Sequence, residues 1–463
     1  MQPVLFGIAA YLLVQFAIGM AVSRHIASES DYILAGRRLG VGLAAFSIFA
    51  TWFGAETVVG AAGAIYADGL SGGSADPFGY GLCLVVVGLA IAAPLWRRKY
   101  TTFGDLFRER YGTGVERLAV ILMIPTSIFW AAAQIRAFGQ VVSASSDLDV
   151  DVAITAAALF VVAYTVAGGL LADVVTDFIQ GVAVIIGLVL LLVAVGQATG
   201  GGVGELVGLI DPARLSLFSF GGASLLETAE AWAVPICGSL LAVELLTRIL
   251  GCRSAATARN ATLIGAAIYL SVGSIPVVLG LAGPALAPAL EEPEQLIAVL
   301  AQEHLTTFLY VLFAGALISA ILSTVDSCLL ASGSLAAHNL VVPLKGATSE
   351  REKIWYARSG VIVFGMVAYV IALYAGGIYE LVATASAFGS AGIFVVGLFG
   401  LFTTFGRAAS AYAALVVGMV VWVAGELVPA WPAPYLTSLA SALVAYVGVA
   451  LLAARSAASV PAS

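Results

Sequence analysis

The chain has 463 residues, 61% of them hydrophobic and 10% charged, with a formal net charge of −7. Soluble domains carry about 25% charged residues, and no polar block here is long enough to fold alone, so a set of water-soluble domains is excluded. No basic stripe offers a nucleic-acid surface, and Cys83, Cys237, Cys252 and Cys328 lack the spacing of a disulfide framework or a zinc site.

Runs of about 20 apolar residues can cross roughly 30 Å of hydrocarbon as helices. Thirteen such runs follow one another, at 4–23, 41–67, 77–96, 115–142, 152–171, 175–197, 225–250, 261–287, 306–337, 358–376, 382–404, 411–428 and 436–454. The first, from Val4 to Ser23, lacks the basic start of a signal peptide and reads as a span. Gly, Pro, Asp and Ser mark the connections, as at Asp68–Pro77, Gly200–Gly204 and Pro429–Pro434. Cytoplasmic loops retain Lys and Arg. With the N-terminus outside, all of the 20 basic residues except Arg214 and Arg136 fall on the cytoplasmic side, Arg248 among them, and the tail 455–463 is cytoplasmic. The expectation is one all-α transmembrane domain over 1–463, multi-pass in the cell's inner (plasma) membrane.

Polar groups inside such spans are costly unless they face a partner or a cavity, which makes them functional candidates. The second span places Gly54, Glu56, Gly60 and Gly63 at its middle. Glycines beside a carboxylate weaken a continuous helix, and an unwound helix lends its carbonyls to a cation. Close packing through small residues explains Gly60 and Gly63 equally well, but not Glu56. In the fourth span Gln134 and Arg136 are embedded; Arg136 cannot shed its proton and calls for a carboxylate, with Glu56 or Glu244 of the seventh span as the obvious partner. Trp52 and Trp130 lie near mid-span, away from the interfacial belt, where they either pack or present a π-face to a cationic ligand. Asp177 and Gln180 are embedded in the sixth span. In the ninth, Ala320, Ser323, Thr324 and Ser327 recur at helical spacing on one face with Asp326 beside it. Hydroxyls and carbonyls on one face suit a hard monovalent cation, although isolated Ser and Thr also bond back to their own helix.

These segments together resemble the sodium/solute symporter family: RRLGVGLAAFSIFATWFGAETVVGAAGAIY, RRKYTTFGDLFRERYG, FWAAAQIRAFGQ, VAGGLLADVVTDFIQG and AGALISAILSTVDSCLLASGS. The resemblance covers roughly residues 30 to 400 and implies a LeuT-type core of two inverted five-helix repeats, 41–197 and 225–404, with a leading helix 4–23 and two trailing helices in 411–454. It implies a sodium site from the carbonyls of Ala50, Phe53 and Ala320 with the hydroxyls of Ser323 and Thr324, and a second from Asp177, Ser323, Asp326 and Ser327. Within the family the motifs most resemble the choline transporter branch, whose aromatic cage Trp52 and Trp130 would match, while the cage position on the seventh span falls at Ala242.

The function expected is sodium-coupled import of a small polar organic solute by alternating access, leaning to an organic amine or amino acid. Trp52, Glu56, Trp130, Gln134, Arg136 and Glu244 would bind it between the second, fourth, seventh and eleventh spans. Sodium is the coupling ion; no other cofactor and no obligate protein partner are implied. Three rivals stand beside this reading: a sodium-independent transporter, a symporter for a sugar or carboxylate, and an intramembrane enzyme. The last lacks a histidine placed to serve a buried nucleophile, because His25, His304 and His338 fall near span ends or loops.

Overall fold

The computed structural model describes residues 2–24, 26–144, 148–218, 225–288, 290–346, 349–375, 377–428 and 431–458. Among these the chain is helical almost throughout. Its outer surface carries large apolar side chains such as Leu159, Val363, Val444 and Leu452, which water would not tolerate in such number and lipid does. Among the described residues nine helical stretches are long and apolar enough to cross a membrane, or ten when the pair Glu380–Ala387 and Ser390–Phe402, bent by 41°, is taken as one. The expected count of thirteen is therefore not reached by length and composition alone. Val41–Trp52, Val150–Val166 and Ala9–Val22 are apolar helices too short for that test.

Part of the shortfall comes from one stretch of 42 residues, Glu56–Arg97, that reverses direction within itself. Along the helix Ala255–Leu286, Gly265 lies against Ala45 and Ile48, Gly280 against Ala62 and Ile65, and Gly283 against Tyr66. The order then runs backwards: Gly273 meets Pro77, and Leu270 and Leu263 meet Gly81 and Gly88. The turn lies in the glycine-rich segment Gly69–Ser74 and at Asp76, whose φ of −133° and ψ of 127° leave the helix. The boundary expected between 67 and 77 is thus real, although helical hydrogen bonding nearly bridges it.

We label four elements that carry the site: α1, Val41–Trp52; α2, Leu170–Ala198; α3, Val243–Gly251; and α4, Thr307–Ala336. Among the described residues, two helices of the bundle are interrupted besides the bent pair Glu380–Ala387 and Ser390–Phe402. The first break follows α1, at Phe53 (φ −99°, ψ 76°) and Gly54, before helix resumes at Glu56 as a widened turn. A Cβ on Gly54 would fall 2.3 Å from the Glu56 carboxylate and 2.8 Å from Gln134 Oε1, so any larger residue there would displace both side chains. The second break, not anticipated from the sequence, separates Leu225–Ala233 from α3. A widened turn at Val234–Gly238, begun by Pro235, leads into it, and Ala242 adopts an extended φ of −60° and ψ of 129°. Proline removes an amide donor and so permits the interruption.

Between α4 and the helix Glu350–Tyr374, Gly333 and Gly360 bring the backbones so close that a Cβ on Gly360 would lie 2.8 Å from the Gly333 Cα. Glu230, in the outer piece of the second broken helix, accepts the backbone amides of Tyr435 (2.6 Å) and Leu436 (2.8 Å), capping the last helix, Pro434–Ala458. Outside the spans, the short helix Gly104–Tyr111 carries Asp105. Burial pushes its carboxyl up, yet hydrogen bonds from His338 and the Thr102 amide, with Arg108 alongside, hold it below the ordinary value.

Candidate ion and solute sites

The break after α1 leaves backbone groups that must find other partners. The Ala55 amide is taken by Gln134 Oε1 at 3.0 Å, and the Ala50 carbonyl accepts the Ser323 hydroxyl of α4 at 2.8 Å. Ser323 and Thr324 also donate to the Ala320 carbonyl, at 2.9 and 3.1 Å. Ala50, Ala320, Ser323 and Thr324 are all buried. Their oxygens therefore converge from a broken helix and an intact one, with the hydroxyls engaging carbonyls a cation would otherwise use. Phe53 is buried at the end of α1, where its amide still bonds to the Phe49 carbonyl at 2.9 Å.

Next to this place lies a triad of buried carboxylates, Asp173 and Asp177 of α2 and Asp326 of α4, each offering an oxygen within 4.8 Å of the others. Arg248 of α3, 1% exposed, enters it and donates through Nη2 to Asp173 (2.6 Å), Asp177 (3.0 Å) and the Ser327 hydroxyl. Its Nε reaches Ser47 of α1 at 2.7 Å, and Ser47 in turn donates to Asp177 at 2.5 Å. Asp177 Oδ1 and Asp326 Oδ2 are buried with no hydrogen-bond partner. Counting Arg248 among the cytoplasmic loop cations is thus corrected: it is a buried ion-pair partner. The Ser323 hydroxyl turns to Ala50 rather than into the triad.

On the other side of the break a cavity of about 150 Å³ is lined by Glu56, Asp76, Tyr80, Glu230, Val234, Pro235 and Val382, among others. Of the six residues expected to hold the solute, Glu56 alone lines it. Trp130 and Gln134 stand behind, donating to Glu56 at 3.3 and 2.6 Å. Trp52 packs on Trp130 with ring centroids 5.9 Å apart, and Tyr80 packs on its other side at 5.6 Å. Glu244 lies elsewhere, accepting from Ser127 (3.2 Å) and Cys328 (3.7 Å). Ser127 and Ala242 line a separate cavity of about 20 Å³. Arg136 pairs with neither Glu56 nor Glu244: its Nη1 donates to the Ala372 carbonyl at 3.0 Å, while its Nε is buried with no hydrogen-bond partner among the described residues.

Asp76 was not among the expected residues, because it sits in what reads as a connecting loop. It is 1% exposed and accepts from Thr57 at 2.8 Å and Tyr269 at 2.7 Å. An Asp directly before a proline in an otherwise glycine-rich turn gives no signal of burial. Asp173, Arg248 and Ser47 were missed as well; the spacing of Asp173 from Asp177 and of Glu244 from Arg248, four residues each, was the available hint.

The model of the sodium:solute symporter family matches residues 32–420. The chain belongs to the sodium:solute symporter family. Among members with assigned roles, it is 29% identical over 374 residues to the high-affinity choline transporter 1 of Drosophila melanogaster, covering 76% of this chain and 59% of that one. It is 27% identical to the human high affinity choline transporter 1 (75% and 63%), and 28% identical to a sodium/proline symporter of Staphylococcus aureus (79% and 74%). The chain thus spans about three fifths of the choline transporters it matches. In fold it resembles a sodium-coupled sialic acid symporter solved substrate-bound and outward-open, with a TM-score of 0.85, 18% identity and 97% of both chains covered. A nucleobase-cation-symport-1 family transporter solved in a closed conformation aligns at a TM-score of 0.62, with 16% identity over 91% of this chain and 94% of that one. Membership places the helices in a membrane and accords with the LeuT-like architecture.

Proposed function

We propose that this chain is a sodium-coupled symporter that imports a small organic amine by alternating access. The observation that carries the proposal is the meeting of the Ala50 carbonyl, freed by the break after α1, with the hydroxyl of Ser323. A sodium ion replacing those hydroxyl contacts would gather the carbonyls of Ala50, Phe53 and Ala320 with the oxygens of Ser323 and Thr324. It would thereby fix α1 against α4. The two open oxygens, Asp177 Oδ1 and Asp326 Oδ2, favour a second sodium beside Arg248, with Asp173 and Ser327 in the set.

The solute would occupy the cavity at Glu56, with Trp52, Trp130 and Gln134 as its supporting layer. Glu244 and Arg136 are left out, since neither lines that cavity. The reversal within Glu56–Arg97, the bent pair and the shorter helices Ala9–Val22 and Val150–Val166, with Val41–Trp52 as the first half of the broken second span, support thirteen crossings. The distribution of Lys and Arg supports an outside N-terminus and a cytoplasmic C-terminus. Sodium can drive the cycle only if it binds the outward-facing form better than the inward-facing one. The membrane potential then adds about 2.3 kcal/mol per charge per 100 mV to its release inside.

Two measurements test the scheme. Sodium, but not potassium, should raise the melting temperature of the purified protein in a concentration-dependent way. Amine uptake into proteoliposomes should collapse when the inward sodium gradient is removed. Uptake that continues unchanged without the gradient would establish the sodium-independent rival instead.

A further inference from the structure

The cavity beside Glu56 has an electrostatic property that the resemblance to choline transporters does not supply. Two buried carboxylates, Glu56 and Asp76, line it together. They are neighbours, since Thr57, which follows Glu56, donates to Asp76. Both are satisfied as hydrogen-bond acceptors by neutral groups: Trp130 and Gln134 on one, Thr57 and Tyr269 on the other. None of these donors carries a positive charge, and among the described residues no Lys, Arg or His comes within ion-pair distance of either carboxylate. Buried carboxylates are paired in folded proteins because an uncompensated one costs several kcal/mol. Each carboxylate oxygen retains lone-pair capacity beyond the bonds it already accepts.

We infer that the solute is a dication, a small aliphatic diamine whose two ammonium groups are met by Glu56 and Asp76; this rests on the proposal that the cavity holds the solute. The rest of the lining agrees. Val234, Pro235, Val382 and Ala383 give an apolar wall suited to a methylene spacer, and Tyr80 offers an aromatic face beside it. Glu230 also lines the cavity, but it is less buried than Glu56 and Asp76, and its charge is already met in part by the positive end of a helix through the amides of Tyr435 and Leu436. A quaternary monocation is served less well. It would leave one carboxylate uncompensated, and the cage position that a third tryptophan would fill is Ala242, lining a different and much smaller cavity.

The test uses the full chain in proteoliposomes with an inward sodium gradient and radiolabelled diaminobutane, diaminopentane, aminobutane and choline. Both diamines should be taken up saturably and at least about tenfold more efficiently than aminobutane or choline. Asp76→Asn should shrink that preference to about threefold or less, while the sodium-induced rise in melting temperature persists. Should Asp76→Asn not fold, Glu56→Gln gives the same comparison. Aminobutane or choline transported as well as the diamines, or a folded variant that keeps the full preference, overturns the inference. So does a sodium-stabilised protein that carries no diamine. If sodium neither stabilises the protein nor drives any uptake, the symport proposal itself falls.

Discussion

Two groups of buried carboxylates lie on either side of the break after α1, and they are solved differently. In the inner group one fully buried guanidinium, Arg248, pairs with Asp173 and Asp177 and is held in addition by Ser47, while Asp326 lies beside them with no ion pair of its own among the described residues. In the outer group Glu56 and Asp76 have hydrogen bonds but no cation. Burial penalises both groups alike, so the difference lies in who supplies the positive charge. Arg248 meets part of the inner charge within the fold, whereas on the proposed reading the outer charge is met by the solute. Loss of Arg248 should therefore act first on stability, and loss of Glu56 or Asp76 on transport.

The largest effect is expected at Arg248. Replacing it by Gln leaves Asp173 and Asp177 without their ion-pair partner and should cost about 3–5 kcal/mol, read as loss of folded protein or a steep fall in melting temperature. Arg248→Lys should recover part of this, since it restores the charge without the planar fork. A stable Arg248→Gln protein would erase the contrast between the two groups.

Next comes the coupling ion. Ser323→Ala with Thr324→Ala should raise the sodium concentration for half-maximal uptake by about 10- to 100-fold, the loss expected for charge-assisted contacts worth roughly 1.5–3 kcal/mol. Solute affinity measured at saturating sodium should change far less. At the outer group, Glu56→Gln keeps the shape and removes the charge. It should lower kcat/KM for the solute about tenfold, or roughly 1.4 kcal/mol, with the melting temperature of the sodium-free protein nearly unchanged. A large drop in melting temperature instead would make Glu56 structural and reassign the outer group. The smallest effect belongs to Arg136, whose single bond to the Ala372 carbonyl makes Arg136→Gln worth about 0.5–1.5 kcal/mol in stability. Its sodium and solute dependence should match the parent protein.

Much of this arrangement was legible from the residues. Hydropathy marks spans because lipid demands long apolar runs, and a glycine beside a carboxylate flagged the break at Gly54. The spacing of Ser323, Thr324 and Ser327 assigned one face of α4 because helical geometry fixes which residues share a side. What could not be read was which faces meet. Arg248 stands at the end of an apolar run, where a snorkelling or loop arginine would stand too, so its burial depends on α2 and α4 closing around it. The acceptor of Arg136 is a backbone carbonyl, which every residue carries and none advertises. The second interruption escaped notice because Pro235 and Gly238 are also tolerated in continuous membrane helices. Asp76 was hidden by its place in a turn that folds back against Tyr269.

The Glu230 clamp gives the last helix a mechanical role. Both oxygens of that carboxylate are engaged by the first amides of Pro434–Ala458, so the outer piece Leu225–Ala233 cannot swing away from the chamber on its own. It must drag the terminal helix through the lipid or abandon a charge and two amides at once. On the proposed transport cycle, a helix with no residue in the cavity beside Glu56 would act as the counterweight on its door, and the viscosity of the surrounding bilayer would become one of the things that sets how fast the door opens.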